Sequence, residues 1–195
     1  NYEPLSLKYT KRVGGQYFGL GRNNAHCRAS FHLATHMDGE KHFHAAGRTI
    51  GQMPFDYWFG PGVIADISGM VSNSSVYTPE MIETVVDVQE GAILIIKTGW
   101  YRYGWNSPES DEFRYMIKHP GPSPDFADWC LAKKIKWLAV DCVAMEHPMN
   151  TIQRIWHPKT FAEANQKLID QVGKDWDEMY PLDKYYQDMH LNLFP

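Results

Sequence analysis

Five of the chain's nine histidines fall between His26 and His44. Four ligand-type residues in that stretch, His32, His36, Asp38 and His42, follow the pattern H-x3-H-x-D-x3-H. Neutral imidazoles and a carboxylate are the donors a divalent transition metal binds. A divalent ion held this way can polarise carbonyl groups and acidify bound water. The spacing also constrains the backbone. On one helix His32 and His36 share a face while Asp38 and His42 point roughly 120° away, at about 100° per residue. On one strand all four face the same side, but His32 and His42 lie roughly 33 Å apart at about 3.3 Å per residue. Neither regular form gathers all four. The chain must bend within the motif, and Gly39 is the expected place. The expectation is a strand, a bend, and then a loop or helix that returns His42. His26 and His44 read as ordinary surface or core residues. Glu40 and Lys41 read as solvated charges, with Glu40 close enough to support a ligand from behind.

The elements that must position these residues alternate along the chain. A short strand is expected near 28–33. VIADI (63–67) reads as a strand, and Thr78-Pro79-Glu80 as a capped helix start followed by a helical apolar stripe. AILIIKT (92–98) reads as a strand buried on both faces. An aromatic turn-forming loop (99–108), a helix near 123–134 and a strand at 137–143 follow. Helices at 160–172 and 182–190 close the chain. This alternation predicts an α/β fold with parallel pairing.

Composition removes several function classes. The 195 residues are 44% hydrophobic and 14% aromatic, enough for a real core. A net charge of −4 argues against nucleic acid as a partner. No apolar run reaches the roughly 18 residues of a membrane helix. Three cysteines without CxxC spacing form neither a disulfide framework nor a thiolate zinc site. They read as small buried residues in a reducing, cytoplasmic protein. No G-x-G-x-x-G follows the first strand and no G-x-x-x-x-G-K-[ST] occurs, so nucleotide binding has no motif behind it.

The histidine segment resembles the signature of the cyclase family of metal-dependent hydrolases, H-x-G-T-H-x-D-x-P-x-H-F. That family includes bacterial kynurenine formamidase, isatin hydrolase and trans-dienelactone hydrolase. His32, Thr35, His36, Asp38, His42 and Phe43 match. Ala34 stands where the family usually has Gly, and Glu40 where it often has Pro. The Thr98-Gly99-Trp100 turn, His119-Pro120-Gly121 and the 138–148 strand carrying Asp141 and Pro148 resemble later family motifs, in the family's order. The resemblance implies the family's swivelling β/β/α domain, one domain spanning 1–195 and truncated at both ends. It implies His32, His36 and Asp38 as ligands of a Zn or Mn ion, with Asp38 able to bridge to a second. His42 is then the catalytic acid/base and His190 a further ligand, while the family's C-terminal Glu ligand has no counterpart.

By this resemblance the expected activity is hydrolysis of a small amide, formamide or cyclic amide, with a lactone or an inactive metal-binding relative as alternatives. The expected partner is a small, flat, aromatic molecule, and the expected state a homodimer or homotetramer. Phe43, Phe55, Tyr57, Trp58 and Phe59 follow the motif closely and suit a pocket wall, core packing or a subunit interface. An Fe(II) oxygenase triad of His36, Asp38 and a distant His is the rival from another class. It leaves His32 and His42 unexplained, and the helix–strand alternation disagrees with a jelly roll.

Overall fold

The computed structural model describes residues 6–11, 24–30, 32, 34–185 and 189. They divide into two compact units, Asn1–Gly39 and Glu40–Pro195. In the first, β1 (Ser6–Lys11) and β2 (Asn24–Arg28) form an antiparallel pair with Leu7 opposite Cys27, and the register shifts between Tyr9 and Lys11. The strand expected at 28–33 instead ends at Arg28, and every side chain of β2 is exposed. Cys27 is therefore exposed, against the expectation of burial, whereas Cys130 and Cys142 are buried.

The second unit begins with three single-turn 3-10 helices, Glu40–His42, Ile50–Gln52 and Phe55–Trp58. Then follow β3 (Gly62–Asp66), β4 (Val76–Tyr77), α1 (Pro79–Val85) and β5 (Ile93–Lys97). After these come α2 (Glu112–Ile117), β6 (Gly121–Pro122), α3 (Phe126–Ala132) and β7 (Trp137–Val140). The chain continues with α4 (Gln153–Trp156), α5 (Pro158–Val172), α6 (Trp176–Met179) and α7 (Leu182–Tyr185). β3, β5 and β7 form a parallel sheet in that order, and β4 pairs with β6, also parallel. This is the expected α/β architecture.

The helices form where sequence chemistry starts them. Thr78 accepts from Met81 N–H and Pro79 opens α1, which buries Ile82. Ile82, with Phe126, Ala127 and Cys130 of α3, packs on Ala65, Leu94 and Ile96 of the sheet. Strand alternation turns the intervening residues the other way. Ile64 and Ile95, paired in register, are 60% and 40% exposed. The apolar run 92–98 is thus buried on one face, not both. α5 puts Thr160, Ala164 and Leu168 on one stripe at four-residue spacing and ends at Gly173, whose φ of +72° closes the helix. Ala164 and Leu168 pack with Ile117, Met149, Trp176 and Tyr180 in a second core.

The later sequence motifs stitch the sheet's loops together. Asp141, just after β7, accepts from Thr98 N–H (2.9 Å), Thr98 O–H (2.5 Å) and Gly99 N–H (2.8 Å). Gly99 takes φ +80° to make that turn. A Cβ at Gly121 would meet the Cα of His147 at 2.4 Å, so the backbones touch there. His119 donates from Nδ1 to the Pro120 carbonyl (2.9 Å), and His147 accepts at Nδ1 from Met149 N–H (3.1 Å). Burial pushes His119 down to about 4 and His147 down to about 3.

Both histidines fold neutral, so their contribution is complete above the ordinary histidine range near ~6.5. It is lost as pH falls from there toward about 4 and about 3, because the unfolded chain takes up protons first. Chemical denaturation between pH 7.5 and 5 should show stability falling by up to about 1.4 kcal/mol per pH unit per histidine. A flat profile over that range would contradict the burial of neutral imidazoles.

Candidate metal centre

After β2 the first unit bends sharply. Ala34 takes φ +56°, a left-handed conformation that costs a non-glycine residue roughly 1–2 kcal/mol. The bend folds His36 back on His32, so that His32 Nδ1 and His36 Nε2 lie 2.9 Å apart with the rings edge to face at 83°. Asp38 Oδ1 sits 3.8 Å from His32 Nδ1 and 3.6 Å from His36 Nε2. One ligand atom from each of the three residues lies within 4.8 Å of the others. Gly39 is not where the turn occurs: the left-handed residue is Ala34, at the position where the resembled family usually carries Gly.

His36 is oriented by the same bend. Its Nδ1 lies 2.8 Å from the Ala34 carbonyl. A carbonyl can only accept, so Nδ1 carries the proton and Nε2 presents its lone pair toward His32 and Asp38. His32 and Asp38 are half-buried and His36 is exposed. A tetrahedral ion with bonds of about 2.0–2.1 Å holds its ligand atoms about 3.3 Å apart. The observed 2.9–3.8 Å brackets that spacing, and two imidazoles with one carboxylate are a suitable donor set.

His42 belongs to the second unit, at the end of the 3-10 turn Glu40–His42. It is exposed, with its ring edge-on to Phe43 at 4.8 Å. His190 lies outside the described residues. Glu40 is not a free solvated charge. Its carboxylate accepts from Arg48 N–H (2.9 Å), Arg48 Nε (3.0 Å) and Arg48 Nη2, closing the nine-residue loop that carries His42. Those hydrogen bonds hold the carboxyl of Glu40 down to about 2. Gly47 fits beneath because a Cβ there would meet the Glu40 backbone at 2.8 Å. Nothing in the spacing announces a partner eight residues away, which is why Arg48 escapes a sequence reading.

The aromatic residues after the motif separate into two groups. Tyr57 and Trp58 each pack on Trp137 at 5.1 Å, and Trp137 Nε1 donates to the Tyr57 carbonyl (2.7 Å). Phe55 and Phe59 are 81% and 56% exposed.

A family model described as "Putative cyclase" matches residues 4–147. The chain belongs to the cyclase family. No curated protein matches it. Among solved structures, this cyclase-family chain is similar to isatin hydrolase A from Labrenzia aggregata bound to benzyl benzoate. That match has 19% identity and a TM-score of 0.63, covering 77% of this chain and 62% of the other. It is also similar to isatin hydrolase A from Ralstonia solanacearum, at 14% identity and a TM-score of 0.64, covering 98% of this chain and 67% of the other. A third is described as a potential metal-dependent hydrolase with cyclase activity, at 19% identity and a TM-score of 0.51, covering 83% and 78%. The chain therefore spans less than two thirds of the first of these relatives. The fold of the described residues, mixed helix and strand around a parallel sheet, is the fold these structures share.

If the Arg48 clamp holds the His42 loop, Glu40→Ala should loosen it. Amide hydrogen exchange at Arg48 should speed up roughly tenfold, the scale of one lost hydrogen bond. Unchanged exchange at Arg48 would show that the loop is held by other contacts.

Proposed function

We propose that this cyclase-family protein is a metal-dependent hydrolase of a small amide, formamide or cyclic amide. His32, His36 and Asp38 are its metal ligands, with Zn or Mn as the ion and His190 as a further ligand. The observation that carries the reading is the convergence of three donor atoms at 2.9–3.8 Å in a protein of net negative charge with no competing nucleotide motif. The isatin hydrolases among the neighbours support a cyclic amide, since isatin is one. Exposed Phe55 and Phe59 suit a flat aromatic substrate or a contact between subunits of a homodimer or homotetramer. The free cysteines Cys27, Cys130 and Cys142 support a reducing, cytoplasmic setting for the enzyme.

When bound, the divalent ion supplies Lewis-acid polarisation of the carbonyl oxygen and makes water more acidic. The chain's residues do the rest. The Ala34 carbonyl keeps His36 in the Nδ1–H tautomer, so its Nε2 lone pair stays directed at the site. Asp38 adds a carboxylate that offsets cationic charge. His42 accepts the proton of the attacking water and returns it to the leaving nitrogen, a two-way task for which imidazole is the best-matched side chain at neutral pH.

The test is turnover of N-formylkynurenine, isatin and a dienelactone by metal-reconstituted protein, wild type against His42→Ala. The variant should keep its metal and lose about 10²- to 10⁴-fold in turnover of the substrate that the wild type cleaves. Full activity in His42→Ala would remove that residue from the mechanism. Cleavage of the lactone alone would replace the amide reading by its lactone counterpart.

A further inference from the structure

The second unit holds a cavity of about 430 Å³ between the 72–75 turn, α2 and α5. Ser72, Asn73, Arg114, Lys118, Glu163 and Lys167 are among the residues lining it. Three cations thus face one carboxylate in a chain whose overall charge is negative. The cations are unevenly compensated. Lys167 spends its ammonium on Ser72 Oγ (2.6 Å), the Asn73 carbonyl (2.8 Å) and Ser75 Oγ (2.9 Å), all neutral groups. It pairs with no carboxylate among the described residues, and burial pulls its ammonium below the usual lysine range.

Arg114 is likewise without a carboxylate partner among the described residues. Its Nε donates to Asn73 Oδ1 (2.8 Å), and its guanidinium lies over the Tyr103 ring at 3.9 Å. The stacked plane is held in place while neither terminal nitrogen has a hydrogen-bond partner among the described residues. A fixed guanidinium with two spare amino groups is the arrangement that binds an oxyanion through paired hydrogen bonds. Among the described residues Lys118 has one carboxylate partner, Glu163 (3.0 Å), whose side chain is 68% exposed, so solvent weakens that pair. Beside them, buried Ser74 holds φ +54°, a strained conformation of the kind that collects at ligand sites.

We propose that this cavity binds a small dianion, a phosphate monoester or a dicarboxylate, through hydrogen bonds from Arg114 and Lys118, while Lys167, whose three N–H donors are already used, adds positive charge. Three positive charges against the single charge of Glu163 leave two to be met. The volume is that of a small-molecule site, and the positive charge is local to one concave pocket, which fits a compact ligand better than an extended nucleic acid. The site uses none of the residues of the metal centre and stands or falls independently of the hydrolase reading.

Isothermal titration of the full chain with inorganic phosphate and with succinate, at constant ionic strength in chloride, tests the proposal. One anion or both should bind saturably, and acetate, a monoanion, should bind more weakly. Phosphate binding without succinate binding identifies the phosphate class, and the reverse identifies the dicarboxylate. Arg114→Gln should weaken binding about tenfold or more. Because Arg114 also packs on Tyr103, Lys118→Gln is the second variant, and circular dichroism checks that both are folded. Loss of affinity in either folded variant supports the site. Binding of neither anion, or wild-type affinity in both variants, overturns it.

Discussion

The hydrogen bond from His36 Nδ1 to the Ala34 carbonyl is the contact on which the proposed chemistry depends. It decides which nitrogen of His36 keeps the proton, and therefore whether a lone pair or an N–H faces His32 and Asp38. It exists because Ala34 is left-handed, which turns its carbonyl toward the residue two places on. One backbone conformation accounts for both the convergence of the two imidazoles and the tautomer of one of them. The strain of a left-handed alanine, roughly 1–2 kcal/mol, is the energetic cost of that geometry. Glycine, usual at this position in the resembled family, would adopt it more freely.

The remaining sequence motifs act chiefly as fasteners within the second unit. Asp141 ties the end of β7 to the Thr98-Gly99 turn at the end of β5 with three hydrogen bonds. Gly121 lets its segment lie against the backbone of His147. Asp66 and Lys97 pair across the same edge of the sheet at 2.6 Å, and that hydrogen bond holds the carboxyl of Asp66 down to about 2. The loops after the parallel strands are thus fixed to one another at the carboxyl edge, where open α/β sheets place their ligands. A motif shared with a family can therefore mark how loops are held rather than which atoms react.

Much of this was legible from sequence where one local rule dominates. β3, β5 and β7 follow from continuous apolar runs, and α1 from a Thr-Pro start. α5 follows from a stripe at four-residue spacing ending in Gly173. The donor trio follows from residue type and spacing, and the family from the match over 4–147. What escaped depends on tertiary context. The bend falls at Ala34 rather than Gly39, because φ at an alanine is set by the contacts around it and not by its own preference. Helices α2, α4 and α6 are too short to show a period, and α2 and α6 are held by the capping side chains of Asp111 and Asp175. Glu40 reads as a surface charge until Arg48 folds onto it. The open face bearing Ile64 and Ile95 cannot be told from a buried one by hydrophobicity alone.

In the proposed centre, His32, His36 and Asp38 together hold a divalent ion. The most direct measurement is metal content by elemental analysis after loading with Zn or Mn and exhaustive dialysis. Wild type, His36→Ala and Asp38→Ala are compared, each with its fold checked by circular dichroism. The wild type should retain at least one equivalent, and both folded variants should lose that ion. Full metal retention by both variants would contradict the proposed centre.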